Sequence, residues 1–138
     1  MEKTKYAYLA GIIDGEGYIG LSKFNVKGRK AFYKARIIIS NCNMDLLNWI
    51  HKNFGGYVSK KTKGPNDYQG YNLQIGYADT WLPKVIPYLI GKKKKAILFI
   101  EALKLLDERR KKTQAAGDMH LERLEEINAL LRKKEWLI

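Results

Sequence analysis

Four stretches of this sequence alternate apolar and polar side chains with period two, and they come in two pairs. Residues 18–26 and 31–40 flank Lys27-Gly28-Arg29-Lys30, and residues 57–63 and 68–77 flank Gly64-Pro65-Asn66-Asp67. Strand-like alternation broken by turn-forming residues predicts two β-hairpins. The segments around them have helical spacing instead. A glycine-rich helix is expected over 4–14. NMDLLNWIHKNF sets Leu47, Ile50 and Phe54 three and four apart, starts near Asn43 and stops at Gly55-Gly56, as a helix with a glycine C-cap does. A short helix over 80–90 should follow the second hairpin, capped by Asp79 or Thr80, with Pro83 in its first turn and an end near Pro87. Two longer helices come last. One covers roughly 92–114 with Ile97, Ile100 and Leu103 inward; the other starts after Gly117 from a cap at Asp118, with Leu121, Leu124, Ile127 and Leu131 on one stripe.

Hairpins separated by helices specify an α+β domain whose antiparallel sheet is covered by helices on one face. With 138 residues, no linker-like stretch and no internal repeat, one domain over 1–138 is expected. Alternation then assigns the two faces. Ile19, Leu21, Tyr33, Ala35, Ile37, Ile39, Val58, Tyr71, Leu73 and Ile75 can all meet the helices. Ser22, Phe24, Phe32, Lys34, Arg36, Ile38, Ser59, Lys61, Lys63, Asn72 and Gln74 point the other way. A twisted β-ribbon fits the major groove of DNA, where Asn and Gln can pair bidentately with adenine and Arg and Lys with guanine. Aromatic and aliphatic side chains among cations favour a contact surface over a merely solvated face.

Charge points to the same partner. The chain has 26 Lys plus Arg against 14 Asp plus Glu, a formal charge of +12. Such an excess favours a polyanion, nucleic acid ahead of an acidic membrane surface, through counterion release. Cys42 is the single cysteine, which excludes an intrachain disulfide and a cysteine-based zinc site. No apolar run suits a signal peptide or a bilayer span, so an intracellular protein without a membrane partner is expected.

The first helix has an unusual composition. YLAGIIDGEGYIG, residues 8–20, carries glycines inside an apolar run and acids at its end. Ala7, Gly11 and Gly15 recur every four residues and leave one face almost bare. A glycine in a helix costs about 0.8–1.0 kcal/mol relative to alanine, so close approach to another backbone must matter more than propensity. Asp14 and Glu16 stand where the helix dipole disfavours carboxylates by about 0.3–1 kcal/mol, a penalty that a bound cation reverses. If two copies of the helix packed through their bare faces, two copies of Glu16 would meet beneath a basic sheet. Carboxylates, water and phosphate together suit Mg²⁺ and phosphodiester cleavage.

Residues Leu9-Ala10-Gly11-Ile12-Ile13-Asp14-Gly15-Glu16-Gly17 resemble the motif of the LAGLIDADG homing endonucleases, and the order of elements resembles that family's αββαββα domain, here with additional C-terminal helices. The resemblance covers nearly the whole chain and contains one copy of the motif. It implies a homodimer joined through Ala7, Gly11 and Gly15, and a long pseudo-palindromic DNA site gripped by two sheets. It further implies Mg²⁺-dependent cleavage of both strands across the minor groove, leaving 3′ overhangs, and a role in intron homing. By the same resemblance Glu16 is the acidic metal ligand and the Gly15 carbonyl a second ligand, with Asp14 structural. Glu16 stands where the family usually has Asp. Asn41 falls near a residue that organises water at the metal. Lys92, with Lys94 as second choice, matches a basic residue near the scissile phosphate.

Other prominent residues have plainer roles. His51 and His120 lack a ligand partner at zinc spacing. The basic runs at 109–112 and 132–134 suit solvated helix faces, and Trp49, Trp81 and Trp136 suit packing. Two alternatives to the endonuclease stay open at this point. One is an intron RNA maturase or a non-cleaving DNA-binding regulator on the same scaffold; the other is a membrane-surface or generic basic binding protein with affinity for any polyanion.

Overall fold

In the computed structural model, which describes residues 2–28, 31–61, 69–109 and 114–133, helix and strand follow in the expected order. Helix α1 (Glu2–Glu16) leads directly into strand β1 (Gly17–Phe24), which pairs with β2 (Phe32–Asn41). Helix α2 (Met44–Phe54) precedes strands β3 (Tyr57–Lys60) and β4 (Tyr71–Ile75). A single turn, α3 (Leu82–Val85), runs into a 3-10 turn over Ile86–Tyr88, and the helices α4 (Lys93–Arg109) and α5 (Gln114–Leu131) complete the order. All strand pairs are antiparallel, in the spatial order β1-β2-β4-β3.

The alternation reads through to the core. Ile19, Leu21, Tyr33, Ala35, Ile37, Ile39, Leu73 and Ile75 are buried, and Val58 and Tyr71 pack partly buried against them. Opposite them lie Leu9, Ala10 and Ile13 of α1, Leu47, Ile50 and Phe54 of α2, Phe99 of α4 and Leu124 and Ile127 of α5, all in one cluster. Helices therefore cover one face and leave the other to solvent. Each fully buried Leu, Ile or Phe contributes roughly 1.5–3 kcal/mol relative to exposure, which fixes the register of every strand.

Both predicted ends of α2 are present. The Asn43 side chain accepts from the N–H groups of Asp45 and Leu46, and Gly55 closes the helix at φ +85°, a conformation that favours glycine. Other boundaries differ from expectation. Helix α1 extends to Glu16, because Gly15 does not stop a helix whose next residue can still bond back. Neither Asp79 nor Thr80 caps α3; Trp81 holds that position without a side-chain bond. Helix α5 starts at Gln114 and runs through Gly117 and Asp118, so Asp118 is not its cap. Ile97 is exposed, and the inward stripe of α4 is Ala96, Phe99 and Ala102, with Ile100 and Leu103 half-buried beside it. The second hairpin's expected turn, Lys63 and Trp136 lie outside the described residues.

Candidate nucleic-acid interface and catalytic centre

The foot of α1 is locked from two directions. Its final carbonyls would lack partners at the helix end, and the Lys92 side chain supplies two of them: Nζ donates to the carbonyls of Ile13 at 2.7 Å and Asp14 at 3.1 Å, and also to that of Gly17, the first residue of β1, at 2.5 Å. A cation there also complements the helix dipole. The Asp14 carboxylate in turn accepts the backbone N–H of Ile90 at 2.8 Å and of Lys92 at 2.9 Å. Asp14 thus fixes the segment from which Lys92 reaches back. Burial lowers the Lys92 pKa; the Asp14 charge opposes that shift and Lys95 adds to it. The abrupt change from helix to strand requires a residue without a side chain, since a Cβ on Gly17 would stand 2.8 Å from the Cα of Ile13.

Glu16 projects from the last residue of α1 and is exposed. Its Oε2 accepts from Asn41 Nδ2 at 2.8 Å, and Asn41 Oδ1 accepts the N–H of Asn43 at 2.8 Å. Because an amide N–H can be received only by the Asn41 oxygen, the amide nitrogen must face Glu16. The end of β2 and the cap of α2 therefore aim this carboxylate. Among the described residues no three His, Cys, Asp or Glu gather as a metal cluster. One chain offers the Glu16 carboxylate and, one residue earlier, the Gly15 carbonyl. These hard oxygen donors are too few to enclose a cation, yet they suit Mg²⁺, which keeps several waters and takes one or two carboxylates alongside phosphate oxygen.

The structure brings Glu16 and Asn41 together and places Lys92 at the foot of the same helix, with its amine turned into the carbonyls of Ile13, Asp14 and Gly17. Lys94 is exposed on the first turn of α4. Ala7, Gly11 and Gly15 lie exposed in line along α1, and a Cβ added to Gly11 or Gly15 would meet nothing within 4 Å. Among the described residues nothing uses the closeness those glycines permit. Tyr8 flanks this face, its ring 5.0 Å from that of Trp49.

The open face of the sheet carries the expected residues, apart from the undescribed Lys63. Ser22 lies opposite Lys34, Phe24 opposite Phe32, Ile38 opposite Gln74 and Ser59 opposite Asn72. Phe24 and Phe32 stack at 5.2 Å with Lys34 Nζ 5.4 Å from the Phe24 ring. Lys61 is exposed just beyond β3. Three further residues share the face: Tyr18 opposite Ile38, Tyr57 opposite Gln74 and Ser40 opposite Asn72. Extending the same alternation back from Ser22 and Ser59 and forward from Ile38 would have found them.

A cross-strand network joins the polar residues. Arg36 donates to Ser22 Oγ from Nε at 3.2 Å and from Nη2 at 2.7 Å, and to Gln74 Oε1 from Nη1 at 3.2 Å. Tyr57 donates to the same Oε1 at 2.8 Å, and Ser40 Oγ donates to Asn72 Oδ1 at 2.5 Å.

Residues 9–103 match the family model described as LAGLIDADG endonuclease. Solved structures share the fold. One is the homing endonuclease I-CvuI in complex with its target, at 23% identity and a TM-score of 0.72 over 96% of this chain and 86% of that one. Another is the archaeal intron-encoded homing endonuclease I-Vdi141I complexed with DNA, at 18% identity and a TM-score of 0.62 over 99% and 98%. The meganuclease I-SmaMI bound to uncleaveable DNA matches at 20% identity and a TM-score of 0.71 over 95% of this chain but 45% of its own. No curated protein matches the sequence. Among the described residues no helix is long and apolar enough to cross a membrane.

Proposed function

This chain belongs to the LAGLIDADG endonuclease family of DNA-cleaving hydrolases, and from that premise we propose that it is a homodimeric, site-specific double-stranded DNA endonuclease. It requires a divalent cation, Mg²⁺ by preference, cuts a long pseudo-palindromic site and promotes intron homing. The observation that carries this is the Glu16 carboxylate, exposed at the foot of a bare-faced helix and held in direction by Asn41 at 2.8 Å.

Each part has a chemical task. Pairing two copies through Ala7, Gly11 and Gly15 brings two Glu16 carboxylates to the dyad, one for each DNA strand. Glu16 and the Gly15 carbonyl hold the cation, and Asn41 keeps the Glu16 carboxylate from turning away. When bound, the cation supplies polarisation of the scissile phosphate, acidification of water and stabilisation of the leaving oxygen. Lys92 keeps positive charge at the helix foot, and Lys94 adds charge on the next helix start, where phosphates would approach. The basic sheet faces supply phosphate attraction and base contacts.

An RNA maturase or non-cleaving regulator would need the scaffold but no oriented Glu16, which favours the enzyme. Incubation with Mg²⁺ and a plasmid library of intron-insertion sequences tests the proposal. Site-specific double-strand cuts by the native chain, absent with Glu16→Gln, support it. Cleavage that persists in Glu16→Gln relocates the metal site, and absence of cleavage on any substrate favours the non-cleaving alternatives.

A further inference from the structure

The amide of Gln74 is already half committed. Its Oε1 accepts from Arg36 Nη1 at 3.2 Å and from Tyr57 OH at 2.8 Å. Arginine has no acceptor, so the atom facing it must be the amide oxygen and not the nitrogen. Both lone-pair directions of that oxygen are then taken, and the half of the amide left to a partner is Nε2, two donors and no acceptor. Arg36 spends three of its five N–H donors on Ser22 and Gln74. Its remaining two, one on each terminal nitrogen, are donors as well.

Bidentate recognition of adenine requires an amide to accept from N6 while it donates to N7. Gln74 as held here cannot accept. Guanine shows two acceptors, N7 and O6, in the major groove, whereas thymine shows a single acceptor beside its methyl group and cytosine shows a donor. We infer that Gln74 and Arg36 form a donor-only recognition unit, locked by Tyr57 and Ser22, which selects guanine where the sequence pattern would have assigned adenine to the glutamine. The unit spans all four strands, from Ser22 on β1 through Arg36 on β2 and Gln74 on β4 to Tyr57 on β3. It arrives preorganised, and little side-chain freedom remains to be lost on binding. The inference rests on the sheet being the DNA-binding face proposed above.

Selection from a randomised duplex pool in Ca²⁺, followed by sequencing of the bound fraction, tests it with four proteins: the native chain, Gln74→Glu, Arg36→Met/Tyr57→Phe and Tyr57→Phe. Gln74→Glu replaces donors by acceptors, so the position it reads should change from guanine to cytosine, and that change identifies the position. Releasing Oε1 in Arg36→Met/Tyr57→Phe should move the same position towards adenine. Tyr57→Phe alone, in which Arg36 still holds the oxygen, should keep guanine. Replacing that guanine by adenine in a fixed duplex keeps the N7 acceptor but puts a donor where O6 stood, and should weaken native binding roughly ten-fold, near the lower end of the discrimination a bidentate contact gives.

Native selection of adenine, thymine or cytosine at the position altered by Gln74→Glu overturns the inference, as does sequence-specific native binding in which Gln74→Glu alters no position. In either case the endonuclease proposal stands. Native binding with no sequence preference at all overturns both.

Discussion

Lys92 and Asp14 hold each other twice: the Lys92 backbone N–H donates to the Asp14 carboxylate at 2.9 Å, and the Lys92 amine donates back to the Asp14 carbonyl at 3.1 Å. The exchange joins the foot of α1 to the segment entering α4, 78 residues later. It gives Asp14 a structural reason to sit at a helix end that disfavours its charge, because its acceptors serve N–H groups outside its own helix.

Asp14→Ala is therefore expected to destabilise the fold without touching DNA. The half-buried N–H of Lys92 and the exposed N–H of Ile90 lose a charged acceptor, and because water can replace the exposed bond the cost should be about 1.5 kcal/mol, the lower end for a bond to a charged group. Urea denaturation should show the midpoint fall at unchanged slope. A stability within 0.5 kcal/mol (roughly the scatter of surface substitutions) of the native chain would show that the pairing is replaceable by water.

Replacing Lys92 separates its two duties. Lys92→Met keeps much of the stem's volume but leaves the carbonyls of Ile13, Asp14 and Gly17 without their shared donor, and should cost about 1–3 kcal/mol. If the charge also serves phosphate, cleavage should fall further than DNA binding does when both are measured well below the unfolding midpoint. Equal loss of both would make Lys92 purely a brace.

Gly11→Leu should give monomers in analytical ultracentrifugation at a concentration where the native chain is dimeric. A Cβ at Gly11 meets nothing within 4 Å among the described residues of one chain, and a helical glycine replaced by a better helix former gains about 0.5–1 kcal/mol. The expected monomer is thus slightly more stable than a native subunit and cleaves no duplex. An unchanged dimer would place the interface elsewhere.

Much of this arrangement was legible in the sequence, for reasons that differ by level. Period-two alternation placed Ile19, Ile37, Leu73 and Ile75 in the core because a one-residue slip would expose all of them. Asn43 and Gly55 announced α2 because capping is local chemistry. The same local signals failed at Gly117, which α5 passes through, and at Asp79 and Thr80, which cap nothing. Ile97 faced the wrong way because Ala96 and Ala102, small enough for close packing, outrank a larger neighbour on a tightly covered face. The motif located Glu16, but neither the three carbonyls gathered by Lys92 nor the double engagement of Gln74 has any local sequence sign. Both depend on residues brought together from distant elements.

The C-terminal helices should respond to acid. Arg123 donates to Glu101 from Nε at 2.5 Å and from Nη2 at 2.9 Å, which holds the Glu101 pKa below its ordinary 4.5 despite a smaller opposing contribution from burial. A carboxylate whose folded pKa is depressed binds fewer protons folded than unfolded through that range. Its stabilisation is accordingly full above about pH 4.5 and is lost as pH falls through the lowered folded value. Both side chains are more than a third exposed, so solvent screening keeps the effect modest. Thermal unfolding from pH 7 to pH 3 should show a steeper acid loss for the native chain than for Glu101→Gln, and parallel curves would remove the pair from the account.

Asn41 offers the most direct separation of positioning from chemistry. Its amide nitrogen holds Glu16 Oε2 while its oxygen is anchored on the Asn43 N–H, so it orients the carboxylate without having to touch DNA or cation. Asn41→Ala removes the brace and leaves Glu16 present and charged. Loss of an outer partner of a metal-binding group typically costs about 10–100-fold in metal affinity or activity, and cleavage should fall by that factor with DNA affinity in Ca²⁺ unchanged within about two-fold. Raising Mg²⁺ should restore part of the rate, since a misdirected carboxylate still binds at higher concentration. Asn41→Asp should be worse, because a second carboxylate at 2.8 Å repels Glu16 where the amide attracted it. Full activity in Asn41→Ala would show that Glu16 directs itself, and that the contact merely caps the end of β2.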